Sequence, residues 1–273
     1  LEIDLHTHTI VSDGSLKPGE ILALAARASL REVSITDHDA IGAYRHFGDL
    51  RAEADRLGVA LLPGIELDSF YRGEDAHVLG YGIDLENGPL NAYLEEVQAL
   101  RRTRMREQMA RLNELFGQVV IEEAAVFFPW RDTCMMPHLI KPLLALGRFD
   151  SYRQAKDWFK VNVPVATRVP KPEAAEVIRM IRAAGGWSVL AHPGFCLKDM
   201  GLPLEEILRD FKAWGLDGVE VDYRYRGSRE FPTLEDEQAM VEEARAAAAR
   251  FGLRQTRGSD CHLEKEFLEF NKY

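Results

Sequence analysis

Short apolar runs alternate with stretches of helical spacing through the first third of the chain and again through the last third. Glu2–Leu5 and Val33–Thr36 predict strands, and Pro18–Leu30 between them predicts a helix with proline in its first turn. Leu50–Leu57 predicts a helix closed by Gly58, and Val59–Ile65 and Val78–Ile83 predict further strands. The rhythm returns with helix Pro172–Ala184, strand Trp187–Ala191, helix Pro203–Trp214 and strand Gly218–Val221. A long helix from about Glu235 to Arg250, closed by Gly252, then leads to a strand ending at Gly258. Alternating units of this kind predict an α/β fold on a parallel sheet, open or closed into a barrel. From about residue 98 strand signals fade, and Leu100, Met105, Met109, Leu112 and Phe116 recur at roughly helical spacing. The expected organisation is therefore 1–97 and 171–273 as two parts of one domain, with 98–170 as a helical insertion subdomain.

Composition changes this picture little. The 273 residues are 46% hydrophobic and 29% charged, as in ordinary globular proteins. No apolar run approaches the ~20 residues that span a bilayer. The first residues lack a basic and apolar leader pattern, although a start at Leu1 leaves a trimmed leader open. Cys134, Cys196 and Cys261 are odd in number and far apart, which argues against a disulfide framework and for a reducing, cytoplasmic setting. A net charge of −10 disfavours broad capture of large nucleic acids or anionic membranes, so an anionic substrate would need local cations. Arg101, Arg102, Arg104, Arg106 and Arg111 on the insertion helix could be a solvated face or a lid offering arginines to such a substrate. The Met and Leu stripe of that helix reads as packing.

The candidate chemistry lies in the histidines. His6 and His8 stand two residues apart on one face of a strand end. His38 in Thr36-Asp37-His38-Asp39, His192 in Ala191-His192-Pro193 and His262 after Gly258-Ser259-Asp260-Cys261 each follow a predicted strand, and His77 begins one. In parallel α/β folds the loops at that edge converge over one rim. Asp13, Asp39, Glu66, Asp222 and Asp260 fall at the same edge. Imidazoles interleaved with carboxylates suit Zn²⁺, Mn²⁺ or Fe²⁺ better than a hydrophobic core. His46 fits no motif and reads as a surface or packing histidine, and Cys261 reads as packing.

The segments DLHTHT, SDG, ITDHD, PGIE, AHPG and GSDCH, in this order, resemble the PHP (polymerase and histidinol phosphatase) family of metal-dependent phosphoesterases. The resemblance covers the two outer parts of the chain. It implies a distorted (β/α)7 barrel and two or three divalent metal ions. It also implies ligand sets: His6, His8, Glu66 and Asp260 for a first metal; Glu66 as a bridge with His77 and His138 for a second; Asp13, His38 and His262 for a third. His192 is left between completing a metal shell and donating a proton, and Asp39 is a second candidate donor. The expected reaction is in-line attack on phosphorus by a metal-bridged hydroxide, without a phosphoenzyme.

The insertion resembles the branch with nucleotide-bisphosphate phosphatases and 5′-to-3′ oligoribonuclease-like enzymes, but the phosphate-gripping positions differ. Met136-Pro137-His138 replaces Arg-Thr-His, Asn162–Thr167 replaces a Lys-containing stretch, and Phe195 replaces an arginine after His-Pro-Gly. Arg168, Lys171, Lys141 and the Tyr223-Arg224-Tyr225-Arg226 stretch are the candidate replacements, with Tyr223 and Tyr225 able to stack a base or to be a plain loop. The expected substrate is a small phosphorylated metabolite, either a phosphomonoester or a cyclic phosphodiester of a nucleotide or sugar phosphate. A nucleotide bisphosphate or a short oligonucleotide is the alternative. Competing readings are a metal-dependent amidohydrolase or deaminase, and a non-enzymatic metal or nucleotide sensor.

Overall fold

A computed structural model describes residues 2–272 and shows, among them, seven strands in one sheet of order β1 to β7. These are β1 (Ile3–Asp4), β2 (Glu32–Ile35), β3 (Ala60–Tyr71), β4 (Glu74–Tyr81), β5 (Trp187–Leu190), β6 (Gly218–Asp222) and β7 (Arg254–Arg257). The sheet curls until its ends meet. Leu5 N–H donates to the Arg257 carbonyl at 2.9 Å, and beyond the strand ends Asp260 N–H donates to His6 and His8 N–H to Cys261 at 2.8 and 3.0 Å. The result is a nearly closed barrel.

Helices α1 (Pro18–Arg27), α2 (Ala43–His46) and α3 (Leu50–Leu57) follow the first two strands, and α7 (Ala174–Ala183), α8 (Pro193–Met200), α9 (Leu204–Trp214), α10 (Leu234–Phe251) and α11 (Glu264–Phe270) surround the last three. The apolar faces of α7, α9 and α10 bury Ile178, Ile207, Phe211 and Ala244 against Leu67, Val78, Leu190 and Val219 of the sheet.

The barrel departs from an all-parallel expectation at one place. β4 runs antiparallel to both β3 and β5. Arg72 and Gly73, both at positive φ (53° and 89°), form a two-residue hairpin turn whose twist matches the flanking strands. β3 therefore continues six residues past Ile65, where the apolar run ends, and sets Asp68 opposite His77 in register. Polar residues extend this strand because its far end lines the mouth of the barrel.

Between β4 and α7 lie α4 (Gly88–Phe116), α5 (Pro137–Ala145) and α6 (Tyr152–Asn162). α4 has 29 residues and is about 43 Å long. Its first half packs Leu90 and Leu94 into the barrel core, and its second half packs Met105, Met109 and Leu112 into a separate cluster with Val126, Leu139 and Phe159. The boundary expected at 97/98 thus falls inside one continuous helix, and Arg101 sits at the joint.

Closure of the barrel needs a close approach at Gly258, where an added Cβ would lie 2.5 Å from Glu220 Oε1 and against His6 Cβ. Gly258→Ala should destabilise the protein by about 1–3 kcal/mol through forced displacement of these neighbours. Urea denaturation of the variant beside the wild type checks this, and an unchanged midpoint would contradict it.

Candidate metal centre

The loops leaving β1, β2, β5 and β7, together with β3 and β4, bring six of the predicted histidines to one end of the barrel. Glu66, only 1% exposed, is their meeting point. Its Oε2 lies 3.3 Å from His6 Nε2, 3.2 Å from His8 Nε2 and 3.2 Å from His38 Nδ1, and its Oε1 lies 2.9 Å from His77 Nδ1 and 3.2 Å from His192 Nε2. Asp260 Oδ1 is 2.8 Å from His8 Nε2 and 3.3 Å from His6 Nε2, and Asp13 Oδ1 is 3.2 Å from His262 Nε2. Four groups are compact enough to hold a cation: His6-His8-Glu66-Asp260, His8-Asp13-His38-His262, Glu66-His77-His192 and His38-Asp68-His77.

Local backbone features aim these side chains. Asp39, His192 and Asp260 have positive φ (46°, 26° and 50°), a conformation L-residues seldom hold without compensating contacts. Asp37 shapes the loop after His8 by accepting from Thr9 N–H at 2.7 Å, Thr9 Oγ1 at 2.6 Å and Ser12 Oγ at 2.5 Å. Lys141 donates to the Asp13 carbonyl at 3.2 Å and fixes the far end of the same loop.

Burial and charge work against each other throughout. Burial disfavours charged His8, but Asp260 and Glu66 outweigh it and raise its pKa from 6.5 to about 10. His77 is likewise disfavoured by burial yet raised to about 9 by Glu66 and Asp68. For Glu66 burial would raise the pKa, and His38, His6 and His77 instead hold it well below the usual carboxylate range. Asp260 follows the same logic against His6 and His8.

The donor set also fits a cation on the evidence of unpaired atoms. His8 Nδ1 and His192 Nδ1 are buried without a hydrogen-bond partner among the described residues, and Asp13 Oδ1 has only its 3.2 Å pair with His262. Each such atom costs about 1–3 kcal/mol unless a bound group satisfies it.

Several residues stand elsewhere than expected. His138 does not join Glu66 and His77; His192 occupies that place. The His138 Nδ1 accepts from Met135 N–H at 2.9 Å, and burial beside Arg131 and Lys141 lowers its pKa to about 4. It joins the insertion to the Ser12–Asp13 loop rather than to the Glu66 cluster. Asp39 is buried, with Oδ2 paired to Arg101 and Oδ1 accepting from Asp68 N–H at 3.3 Å, so neither oxygen is free to deliver a proton. Asp222 points outward to Arg245 at 2.6 Å, while Glu220 is fully buried beneath His6 at 3.1 Å from Nδ1. A register irregularity between Glu220 and Asp222 turns these residues to different sides, although an i, i+2 spacing would otherwise keep them together. Tyr223 and Tyr225 are buried against Phe195 and Phe231, so neither is free to stack a base.

Two clefts flank the cluster. One, of about 420 Å³, runs from Asp13, His38, Asp68 and His77 to Arg104, Lys156, Lys160 and Lys171. Arg168 lies beside Arg104 at its edge. The other, of about 500 Å³, runs from Asp260 and His262 past Tyr223 to Arg224, which is paired to Glu269. Sequence reasoning missed Asp68, Glu220, Lys156 and Lys160. Asp68 had a signal, since it lies two residues from Glu66 and shares its strand face. The lysines had none, because only tertiary packing lays α6 over the cleft. Among the described residues no helix is long and apolar enough to cross a membrane.

The PHP domain description matches residues 4–87. A 3′,5′-nucleoside bisphosphate phosphatase of Chromobacterium violaceum is 31% identical over 97% of this chain and 88% of its own. A phosphoribosyl 1,2-cyclic phosphate 1,2-diphosphodiesterase of Eggerthella lenta is 29% identical over 95% of this chain and 93% of its own. A crystal structure from Bifidobacterium adolescentis, described as a metal-dependent phosphoesterase, superposes with a TM-score of 0.77 at 27% identity, covering 96% of this chain and 87% of that one.

The opposed pKa shifts make the metal-free protein sensitive to pH. The raised histidines stabilise it fully below pH 6.5, and this contribution is lost as pH rises through about 9 to 10. The depressed Glu66 contributes above pH 4.5 and is lost as pH falls further. The thermal midpoint of chelator-treated protein should therefore peak between pH 4.5 and 6.5 and decline on both sides. A flat midpoint from pH 6.5 to 9 in differential scanning calorimetry would disprove it.

Proposed function

The chain belongs to the PHP family of metal-dependent phosphoesterases, and from that premise we propose that it hydrolyses a small metabolite bearing a second anionic group beside the scissile phosphate. The observation that carries this reading is the cationic wall of the 420 Å³ cleft, which faces the histidine cluster directly. In a chain of net charge −10, a cleft where Arg101, Arg104, Lys156, Lys160 and Lys171 outnumber Asp13, Asp68 and Asp75 is a local exception that an anionic ligand would exploit.

His6, His8, Glu66 and Asp260 would hold one divalent ion, Glu66, His77 and His192 a second, and Asp13, His38 and His262 a third, with Mn²⁺, Zn²⁺ or Fe²⁺ suited to these donors. When bound, such ions supply positive charge to the phosphate oxygens and make a bound water acidic enough to attack near neutral pH. His192 is thereby assigned to the ligand shell and Asp39 to positioning, in place of proton delivery. Glu220 holds His6 by Nδ1 at 3.1 Å and accepts from His192 N–H at 2.7 Å, so one carboxylate orients two ligands. Tyr223 donates to Asp260 Oδ2 at 2.8 Å and leaves Oδ1 for the cluster. Arg104, Lys156 and Lys160 would take the second anion, with Lys171 (paired to Asp75 at 2.6 Å), Arg168 near Arg104 and Arg224 in the other cleft as lesser contacts.

A cyclic phosphodiester is the second reading. Phe195 favours it, because its ring fills the place where the bisphosphate branch carries an arginine and packs on Tyr223 and Tyr225.

Purified protein with Mn²⁺, assayed against nucleoside bisphosphates, sugar phosphates and cyclic phosphates, should release phosphate or open the cyclic ester, and should lose this activity on chelation. No turnover of any of them with metal bound would end the phosphoesterase reading for this panel. Glu66→Ala should cut metal content and activity by more than the ~10–100-fold typical of an outer-shell partner. The pair Lys156→Ala and Lys160→Ala should raise KM about 10-fold each for a two-anion substrate, with kcat little changed, as expected for lost charge-assisted binding. Equal KM values for wild type and variants would move the second anion away from α6.

A further inference from the structure

Asp68 is a buried carboxylate at the edge of the cluster, 5% exposed, with its two oxygens facing different ways. Oδ1 accepts from His38 Nδ1 at 3.1 Å, and Oδ2 accepts from Arg101 Nη2 at 2.8 Å with Lys171 Nζ at 3.7 Å. Arg101 comes from the joint of α4, where the helix leaves the barrel core for the insertion. It also pairs with Asp39, whose Oδ1 accepts from Asp68 N–H at 3.3 Å and whose carbonyl accepts from Gln98 Nε2 of α4 at 2.9 Å. Asp39 is thus clamped to α4 by side chain and backbone, and it presents Arg101 to Asp68.

We propose that Asp68 is a positioning residue for His38 and that Arg101 holds Asp68 in that role. Nδ1 of His38 also lies 3.2 Å from Glu66 Oε2, so two carboxylates face this nitrogen and fix a proton on it. A ring with its Nδ1–H committed in this way offers Nε2 as its lone pair. That nitrogen is then the donor His38 brings to the group with Asp13 and His262. The relay Arg101–Asp68–His38 makes the start of the insertion part of the metal centre without supplying a ligand. The rival role for Asp68 is that of a ligand itself, since His38, Asp68 and His77 are close enough to form a group of their own. Its 3.7 Å separation from His77 Nε2 and its well-formed hydrogen bond to His38 favour positioning. This inference rests on the metal-dependent reading of the site.

The test is calorimetric titration of metal-free protein with Mn²⁺ for wild type, Asp68→Ala, Asp68→Asn and Arg101→Ala, each with a folded circular-dichroism spectrum. Asp68→Ala should weaken one class of Mn²⁺ site by about 10–100-fold and leave the others unchanged. Asp68→Asn keeps an oxygen that accepts from Nδ1–H, so it should stay within a few-fold of wild type. Arg101→Ala should fall between them and recover on addition of guanidinium. Unchanged binding in Asp68→Ala would overturn the inference. So would an Asp68→Asn loss as large as that of Asp68→Ala, because the carboxylate would then be a direct ligand. Absence of Mn²⁺ uptake by the wild type would overturn the metal assignment and this inference with it, whereas normal uptake with an indifferent Asp68→Ala overturns the inference alone.

Discussion

One buried carboxylate sets the terms for the rest of the molecule. Glu66 is nearly inaccessible and faces His6, His8, His38, His77 and His192 at 2.9–3.3 Å. A carboxylate taken out of water is tolerable only with opposite charge beside it. In the metal-free protein that charge is protons on neighbouring imidazoles such as His8 and His77, whose pKa values the carboxylates raise to about 10 and 9. Divalent ions would replace those protons, so metal affinity and proton release are two views of one balance. Asp13, Asp68 and Asp260 extend the same problem around the rim and draw in His262, Arg101 and Tyr223 as answers.

The barrel is shaped to present that charge at its mouth. β3 overruns its apolar portion so that Glu66 and Asp68 reach the rim on one face, and β4 turns back to set His77 against them. Left-handed residues at Asp39, His192 and Asp260 bend the strand ends inward. Glu220, Asp37 and Asp4 form a second tier below. Asp4 accepts from Ser259 N–H at 2.9 Å and from Asn271 Nδ2 at 2.6 Å, which pins the loop carrying Asp260 and His262 to both ends of the chain. The strain and buried charge at the mouth are offset by the apolar packing of α7, α9 and α10 on the sheet behind it.

What the sequence made legible followed from short-range geometry. His6 and His8 could be read because a strand keeps i and i+2 on one face, and His38, Asp260 and His262 because each follows an apolar run. Asp68 was hidden by ending the strand at Ile65, since polarity at a barrel mouth looks like a loop. Glu220 was passed over and Asp222 was taken for a rim carboxylate, because an irregular register turns apart two residues that a regular strand would keep on one face. The exchange of His138 for His192 has a different origin. Which histidine meets Glu66 depends on how α8 and the insertion pack, and spacing along the chain carries no information about that. The antiparallel β4 depended on an Arg-Gly turn, a weaker hairpin signal than Asn-Gly.

The two walls of the metal centre point to how substrate choice is built. On one side Phe195, Tyr223, Tyr225 and Phe231 form a packed aromatic wall with ring centroids 4.6–6.0 Å apart. On the other side the insertion lays Arg104, Lys156 and Lys160 over the open cleft. These cations stand on helices that have a hydrophobic cluster of their own. Because α4 is continuous from one core to the other, any tilt of the insertion over a bound anion would bear directly on Arg101 and its carboxylates. On the proposed reading, substrate grip and metal geometry would share one mechanical element, the helix that leaves the barrel at Arg101.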